Sequence, residues 1–309
     1  MVEPRVRVAL PFALLTAILA VSTSSVFIRF AQTDAPSLVI AALRLTFAAV
    51  LLAPIAWTRH HAELKRLTRR EIMLGAVSGA FLAVHFATWI SSLEYTSVAS
   101  SVVFVSTGPL WVALLSPLLL NERLTRGALF GLFIAILGGT IIGMSDACTW
   151  NGGFRCPDLG QLLQGRAMWG NLLALIGAWT VSGYLIIGRK LRAGMSLIPY
   201  IFVVYGMAAM ILMIMMFAAG QSPLGYPART YGWIFLLAAF PQLIGHSTYN
   251  WVLRYIPATL VAIITLVEPI GSALLAYFIL REVPTSGVLF GGVLILVGIY
   301  LASRPGRAG

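Results

Sequence analysis

A shift of 160 residues lays the first half of this chain over the second without a gap. Tyr95, Pro109, Glu122, Thr125, Gly127, Phe130, Gly131 and Gly138 recur as Tyr255, Pro269, Glu282, Thr285, Gly287, Phe290, Gly291 and Gly298, and 13 of the 46 positions from 95 to 140 match their partners. Most of these matches are residue types that apolar runs do not share by chance. The period is too long for a solenoid or a propeller, so the chain reads as two like units fused in one polypeptide.

The solvent of these units follows from composition. Hydrophobic residues make up 59% of the chain and charged residues 10%, whereas a soluble domain carries about a quarter charged residues. Apolar runs fall near 8–29, 37–57, 71–92, 97–119, 125–144, 168–188, 197–218, 230–252, 257–279 and 285–303. Each reaches the roughly 20 residues that cross about 30 Å of hydrocarbon. Five spans per unit is an odd number, so the second unit enters the membrane with opposite orientation. The expected fold is an all-α integral membrane protein with ten transmembrane helices in two inverted five-helix repeats. The first repeat covers 1–144, a linker loop 145–166, and the second repeat 167–309.

Arg5 and Arg7 ahead of an apolar run resemble a secretory signal peptide. Val21, Ser22 and Arg29, however, match Val181, Ser182 and Arg189 of an internal span. Cleavage would remove one member of a matched pair, so the run is read as a retained first helix. With the N-terminus inside, fifteen of the 21 cations lie in inside segments, five (Arg29, Arg155, Arg166, Arg229 and Arg281) lie outside, and Arg44 lies within a span. The positive-inside rule then puts both termini in the cytoplasm and the chain in a bacterial inner membrane. The same bias accounts for the net charge of +11. Nucleic-acid binding has no surface domain on which to occur.

Cys148 and Cys156 are the two cysteines of the chain, and both fall in the outside loop between the repeats. An oxidising compartment favours a disulfide closing that loop; two free thiols are the alternative.

Polar residues within the spans fall on helical faces. In the third span Ser78, His85, Trp89 and Ser92 share one face; in the eighth, Gln242, His246, Tyr249 and Asn250 do so. The fourth offers Ser100, Phe104, Thr107 and Trp111, the ninth Thr265, Glu268 and Ser272, and the sixth Trp179 and Ser182. Polar stripes are costly against lipid and are expected to face the bundle interior. Trp89 and Tyr249 are equivalent in the two units. They are placed to offer two aromatic faces to one solute. For any one of these residues, plain packing between helices is the competing account. Pro109 and Pro269 occupy equivalent positions in the fourth and ninth spans, where each removes a backbone hydrogen bond and marks either a hinge near the site or a packing kink. Arg44 and Glu268 are charges within spans, expected to be buried and partnered, and are read as structural.

The repeated ending, Pro109 through Asn121-Glu122-Arg123-Leu124-Thr125-Arg126-Gly127 to Gly131, and Pro269 through Arg281-Glu282-Val283-Pro284-Thr285-Ser286-Gly287 to Gly291, resembles the signature that closes each EamA domain of the drug/metabolite transporter superfamily. The resemblance covers nearly the whole chain. It implies ten helices in inverted repeats and export of a small metabolite by alternating access. The spread of aromatics over the third, fourth, sixth and eighth spans is similar to that of aromatic amino-acid exporters in the superfamily. Within the signature, Gly127, Gly131, Gly287 and Gly291 form GxxxG faces that suit close packing of the fifth and tenth helices.

The candidate lining offers amides, hydroxyls and aromatic faces with few charges. That suits a net-neutral amino acid better than a phosphorylated solute, which calls for several Lys or Arg. Facilitated transport is favoured because no carboxylate cluster marks a proton pump. Multidrug or lipophilic-cation efflux, with proton coupling an option, is the competing transporter reading. An intramembrane enzyme would need a nucleophile and base or a metal triad, and the four histidines form no ligand spacing, His60 and His61 lying in a basic loop. No metal, cofactor or nucleotide site is expected. The expected partners are a small-molecule substrate and membrane lipid, and a monomer suffices for a complete pathway.

Overall fold

The computed structural model describes residues 4–108, 110–112, 115, 126–147, 149–150, 154–155, 165–252, 254–255, 265 and 267–302. Cys148, Cys156, Pro109, Glu122 and Thr125 lie outside them. Helices α1 (Pro4–Ser22) and α2 (Ser24–Gln32) make the first span. They are separated by a tightened turn at Thr23, whose hydroxyl donates to the Ala20 carbonyl at 2.7 Å and competes with the helical ladder there. Next come α3 (Ser37–Arg59), the short α4 (His61–Arg66), α5 (Arg69–Ser92), α6 (Val98–Val105) and α7 (Arg126–Ala147). A two-stranded hairpin, β1 (Thr149–Trp150) with β2 (Phe154–Arg155), lies in the loop between the repeats. The second half holds α8 (Arg166–Arg192), α9 (Leu197–Ala218) and α10 (Ala228–Leu237), which runs through a π-helical stretch (Ala238–His246) into α11 (Ser247–Val252). Then α12 (Glu268–Leu275) widens into a second π-helical stretch (Ala276–Leu280), and α13 (Ser286–Ala302) follows.

Among the described residues, five helices are long and apolar enough to cross a membrane: Leu10–Gln32, α3, α5, α8 and α9. Shorter apolar helices accompany them, among them Glu268–Leu280 and Ser286–Leu301. Large apolar side chains such as Phe12, Trp57, Phe133 and Phe278 are exposed around the outside, which is the expected solvent arrangement for a multi-pass membrane protein. Local signals set the starts. Thr68 caps α5 in a reciprocal box with Glu71: the Glu71 N–H donates to Thr68 Oγ1 at 3.2 Å, and the Thr68 N–H donates to Glu71 Oε2 at 2.8 Å. Ser97 caps α6 by accepting from the Ser100 N–H.

Contacts run mainly between the halves. Helix α8 lies against α5 in reverse register, with Gly177 at Trp89 and Gly170 at Thr96. Helix α9 packs on α3 and α5, and the α10 segment on α1 and α2, where Phe27 and Phe30 meet Trp233 at ring distances of 5.8 and 4.8 Å. Helices α7 and α13 approach backbone to backbone. A Cβ on Gly138 would sit 2.5 Å from the Gly291 carbonyl oxygen, and one on Gly298 would sit 2.5 Å from that of Gly131. Gly131 is equivalent to Gly291 and Gly138 to Gly298, so exchanging the halves turns one contact into the other. The close faces are therefore Gly131–Gly298 and Gly138–Gly291, while Gly287 faces Ser145.

Helix α6 ends at Val105, and the chain turns at Ser106 and Thr107. In the second half, Val267, the equivalent of Thr107, is a turn residue ahead of α12. Pro269 sits in the first turn of that helix, where its missing N–H costs nothing. Val267 keeps right-handed helical backbone angles and Thr265 is helical, so among the described residues the irregularity expected near Pro269 is a one-residue turn ahead of α12. At one end of the bundle Arg29 pairs with Glu282 at 3.0 Å and donates to the Thr96 and Leu93 carbonyls, while Glu282 Oε2 accepts the Val98 N–H at 2.8 Å. This ties α2, the start of α6 and the turn before α13 together. At the other end Glu63 accepts from the Ser196 N–H at 2.8 Å and the Ser196 hydroxyl at 2.5 Å, joining the α4 loop to the start of α9.

Candidate functional site

The helical spacing of α5 sets His85, Phe86 and Trp89 on its inward side, all buried. Phe86 is the hub. Its ring centroid lies 4.8 Å from that of His85, 6.3 Å from Trp89 and 5.4 Å from His246. His85 and Trp89 stack at 5.9 Å with planes 16° apart, and His246 meets Tyr249 edge-on at 6.5 Å. His85 Nδ1 lies 2.9 Å from the Gly177 carbonyl oxygen. A carbonyl only accepts, so Nδ1 carries the proton and a neutral ring keeps its Nε2 lone pair.

From α3, Arg44 lays its guanidinium over the hub, with Cζ 4.1 Å from the Phe86 centroid, and its Nε donates to Gln242 Oε1 at 3.1 Å. The π-helical stretch around Pro241 brings Gln242 and His246 here: proline removes a ladder donor, and the wider turn takes up the change. Several buried polar atoms have no partner among the described residues. They include Trp89 Nε1, Tyr249 OH, Gln242 Nε2, Asn250 Oδ1 and both terminal nitrogens of Arg44, with others elsewhere in the bundle such as Ser24 Oγ, Ser25 Oγ and Gln221 Oε1. Native interiors satisfy nearly all such groups, so those carried by the residues around Phe86 call for a ligand or water. The cluster draws on both halves and can offer aromatic faces and hydrogen-bond donors to one small solute.

The chain matches the EamA-like transporter family twice, over residues 9–144 and 168–304. It belongs to the EamA-like transporter family. Among its relatives, an uncharacterized transporter of Archaeoglobus fulgidus is 23% identical over 94% of this chain and 95% of the relative. The uncharacterized transporter YyaM of Bacillus subtilis is 22% identical over 83% and 80% of the two chains. The pseudopaline exporter CntI of Pseudomonas aeruginosa is 22% identical over 77% of each. A protein of known crystal structure superposes with a TM-score of 0.65 at 19% identity, over 95% of this chain and 96% of the other, and so shares the fold.

In this EamA-like transporter the structure brings together His85, Trp89, Gln242, His246 and Tyr249 of the residues singled out in the sequence. Ser78 and Asn250 lie beside them in a second network. Asn250 Nδ2 donates to the Tyr184 hydroxyl at 2.5 Å and to the His246 carbonyl at 2.8 Å, and Ser78 Oγ reaches the Tyr184 carbonyl at 3.4 Å and Tyr200 OH at 3.5 Å. Tyr205 joins through Ser247 at 3.3 Å. Trp111 and Trp179 are apart from the hub: they meet each other edge-on at 5.2 Å, Trp111 Nε1 donates to Thr107 Oγ1 at 3.1 Å, and Trp179 is 45% exposed. Phe104 packs toward α7 at Gly139, with the cluster of Ala99, Ile142 and Ile295. Thr265 is half-buried. Glu268 is half-buried at the first position of α12 and forms no ion pair with Arg44 within 4 Å; the two interact only through the field across the cluster. Sequence reasoning missed Phe86, which looks like any apolar core residue. It also missed Tyr184, Tyr200 and Tyr205, whose hydroxyls were hidden in apolar runs.

Proposed function

We propose that this EamA-like transporter exports amino acids, aromatic and other neutral ones, by alternating access through the cluster around Phe86. The observation that carries the reading is a buried set of aromatic faces and unpaired donors, drawn from both halves, inside a membrane bundle. Two inverted five-helix repeats, 1–144 and 167–309 joined by 145–166, supply the two states. Their support is the exchange of Gly131–Gly298 for Gly138–Gly291 and the matched turns at Thr107 and Val267. Pro109 and Pro269, each two residues after one of these turns in the sequence, are taken as the hinge positions. Export as the direction is supported by a relative named as the exporter of pseudopaline. Both termini are placed in the cytoplasm and the protein in the inner membrane on the bias of its cations.

Lipophilic-cation efflux is the second reading, favoured by the stacked His85–Trp89 faces. Uptake of labelled phenylalanine and threonine into proteoliposomes, with and without a pH gradient, separates the two. The wild type is expected to take up both amino acids, and Trp89→Ala and His85→Ala to lose about ten-fold or more, equivalent to roughly 1.4 kcal/mol of binding. Uptake of aromatic cations with no uptake of either amino acid would replace the proposal by the second reading.

A further inference from the structure

Arg44 has no counterpart in the other half. The 160-residue relation sets it opposite Val204, and sets Gln242 opposite Leu82. The repeat therefore builds the equivalent packing of α9 without a charge or its amide partner. A guanidinium demanded by the fold would be expected on both sides of the exchange; one demanded by a solute is needed once.

The surroundings of Arg44 are those of an anion site. Its side chain is entirely buried, and only Nε has an acceptor, Gln242 Oε1 at 3.1 Å. Nη1 and Nη2 find none among the described residues, and no carboxylate lies within 4 Å. Two other residues of the Phe86 cluster also carry unpaired donors, Trp89 Nε1 and Gln242 Nε2. Phe86 backs the guanidinium plane at 4.1 Å, and Gln242 fixes its rotation. A buried cation with two bare nitrogens is costly to keep. The partner that a planar fork satisfies best is a carboxylate, whose two oxygens match two parallel N–H groups.

We propose that Arg44 receives the carboxylate of the transported solute end-on, through Nη1 and Nη2, with Gln242 and Phe86 as the residues that position it. This rests on the reading of the Phe86 cluster as the solute site and sharpens it. The carboxylate becomes the group by which substrates are selected, and a solute that carries only a positive charge meets a like charge.

Three probes of one skeleton test this: phenylalanine, 3-phenylpropanoate and phenethylamine, measured by thermal stabilisation and tryptophan fluorescence of purified protein and by uptake into proteoliposomes. The wild type is expected to bind both acids and to bind the amine at least about ten-fold more weakly. Arg44→Lys, which keeps the charge but loses the fork, should weaken both acids about ten-fold. Arg44→Gln should abolish the preference for acids over the amine. Arg44→Lys is the informative variant if Arg44→Gln elutes as an aggregate. Acid binding or phenylalanine uptake unchanged in Arg44→Lys would overturn this inference and leave the transport reading standing. Arg44-dependent binding of 3-phenylpropanoate without any uptake of phenylalanine would overturn the transport reading alone. A wild type that binds neither acid would overturn both.

Discussion

At Asp34, in the turn between α2 and α3, hydrogen bonds from Arg229 at 3.0 and 3.1 Å and from the Thr230 hydroxyl at 2.7 Å hold the carboxyl down at about 2, below its ordinary 3.8. A depressed carboxyl adds stability that is fully present above its ordinary value and is lost as the pH falls through the lowered one. The melting difference between wild type and Arg229→Gln is therefore expected to stay constant from about pH 8 to about pH 5 and to shrink below about pH 4. A difference that already falls between pH 7 and pH 5 would mean that the pair is not what Asp34 contributes. Glu268 opens α12. No described acidic group joins it in a cluster, so Glu268→Gln is expected to leave the ratio of uptake with and without a pH gradient unchanged, and a collapsed ratio would identify it as the coupling group. His85, Trp89, Gln242 and Tyr249 were legible in the sequence because polar or amphipathic side chains at helical spacing within an apolar run are costly anywhere but inside. Phe86 was not, because a buried phenylalanine at a hub and one in a plain core carry the same signal. That Arg44 would meet Gln242 rather than Glu268 depends on how α3 and the α10 segment are placed in space, which no local pattern encodes.

Among elements, α7 and α13 approach backbone to backbone through glycines of the two halves. Gly138→Leu or Gly291→Leu must separate the two backbones, since even a Cβ would lie 2.5 or 2.6 Å from the facing carbonyl oxygen. Overpacking of this kind costs about 1–3 kcal/mol or more, so a clear fall in melting temperature and in yield of monodisperse protein is expected. Variants as stable as the wild type would show that the contact is not made. The π-helical stretch around Pro241 offers a contrasting prediction. Pro241→Ala restores a backbone donor and a regular ladder, rotating Gln242 and His246 away from Phe86. Uptake should then fall several-fold while melting temperature holds or rises. Helix positions were legible from length and apolarity, and the glycine face in part: Gly131 and Gly291 belong to the signature faces, but their close partners are Gly298 and Gly138. The discontinuities were only partly so. Pro269 pointed to an irregularity, but the turn at Val267, the wide turns at Ala238–His246 and Ala276–Leu280, and the tightened turn at Thr23 depend on how neighbouring helices accommodate a lost or contested hydrogen bond.

For the molecule as a whole, duplication explains both the architecture and the position of the site. Two units of like fold, packed so that α5 meets α8 and α7 meets α13, leave at their junction a set of side chains that the repeat does not impose. Phe86 matches His246 and Trp89 matches Tyr249, but Arg44 and Gln242 match only Val204 and Leu82. Function is expected to reside in these departures from the repeat, since the shared positions already account for packing. Under the alternating access proposed above, the site opens to one side at a time, so solute on one face is expected to speed movement from the other. The most direct test is counterflow. Proteoliposomes loaded with unlabelled phenylalanine and diluted into a trace of labelled phenylalanine, without any pH gradient, should transiently accumulate label above its equilibrium level, and Trp89→Ala should abolish the overshoot. Label that rises only to equilibrium, at a rate indifferent to the internal load, would contradict alternating access through this site.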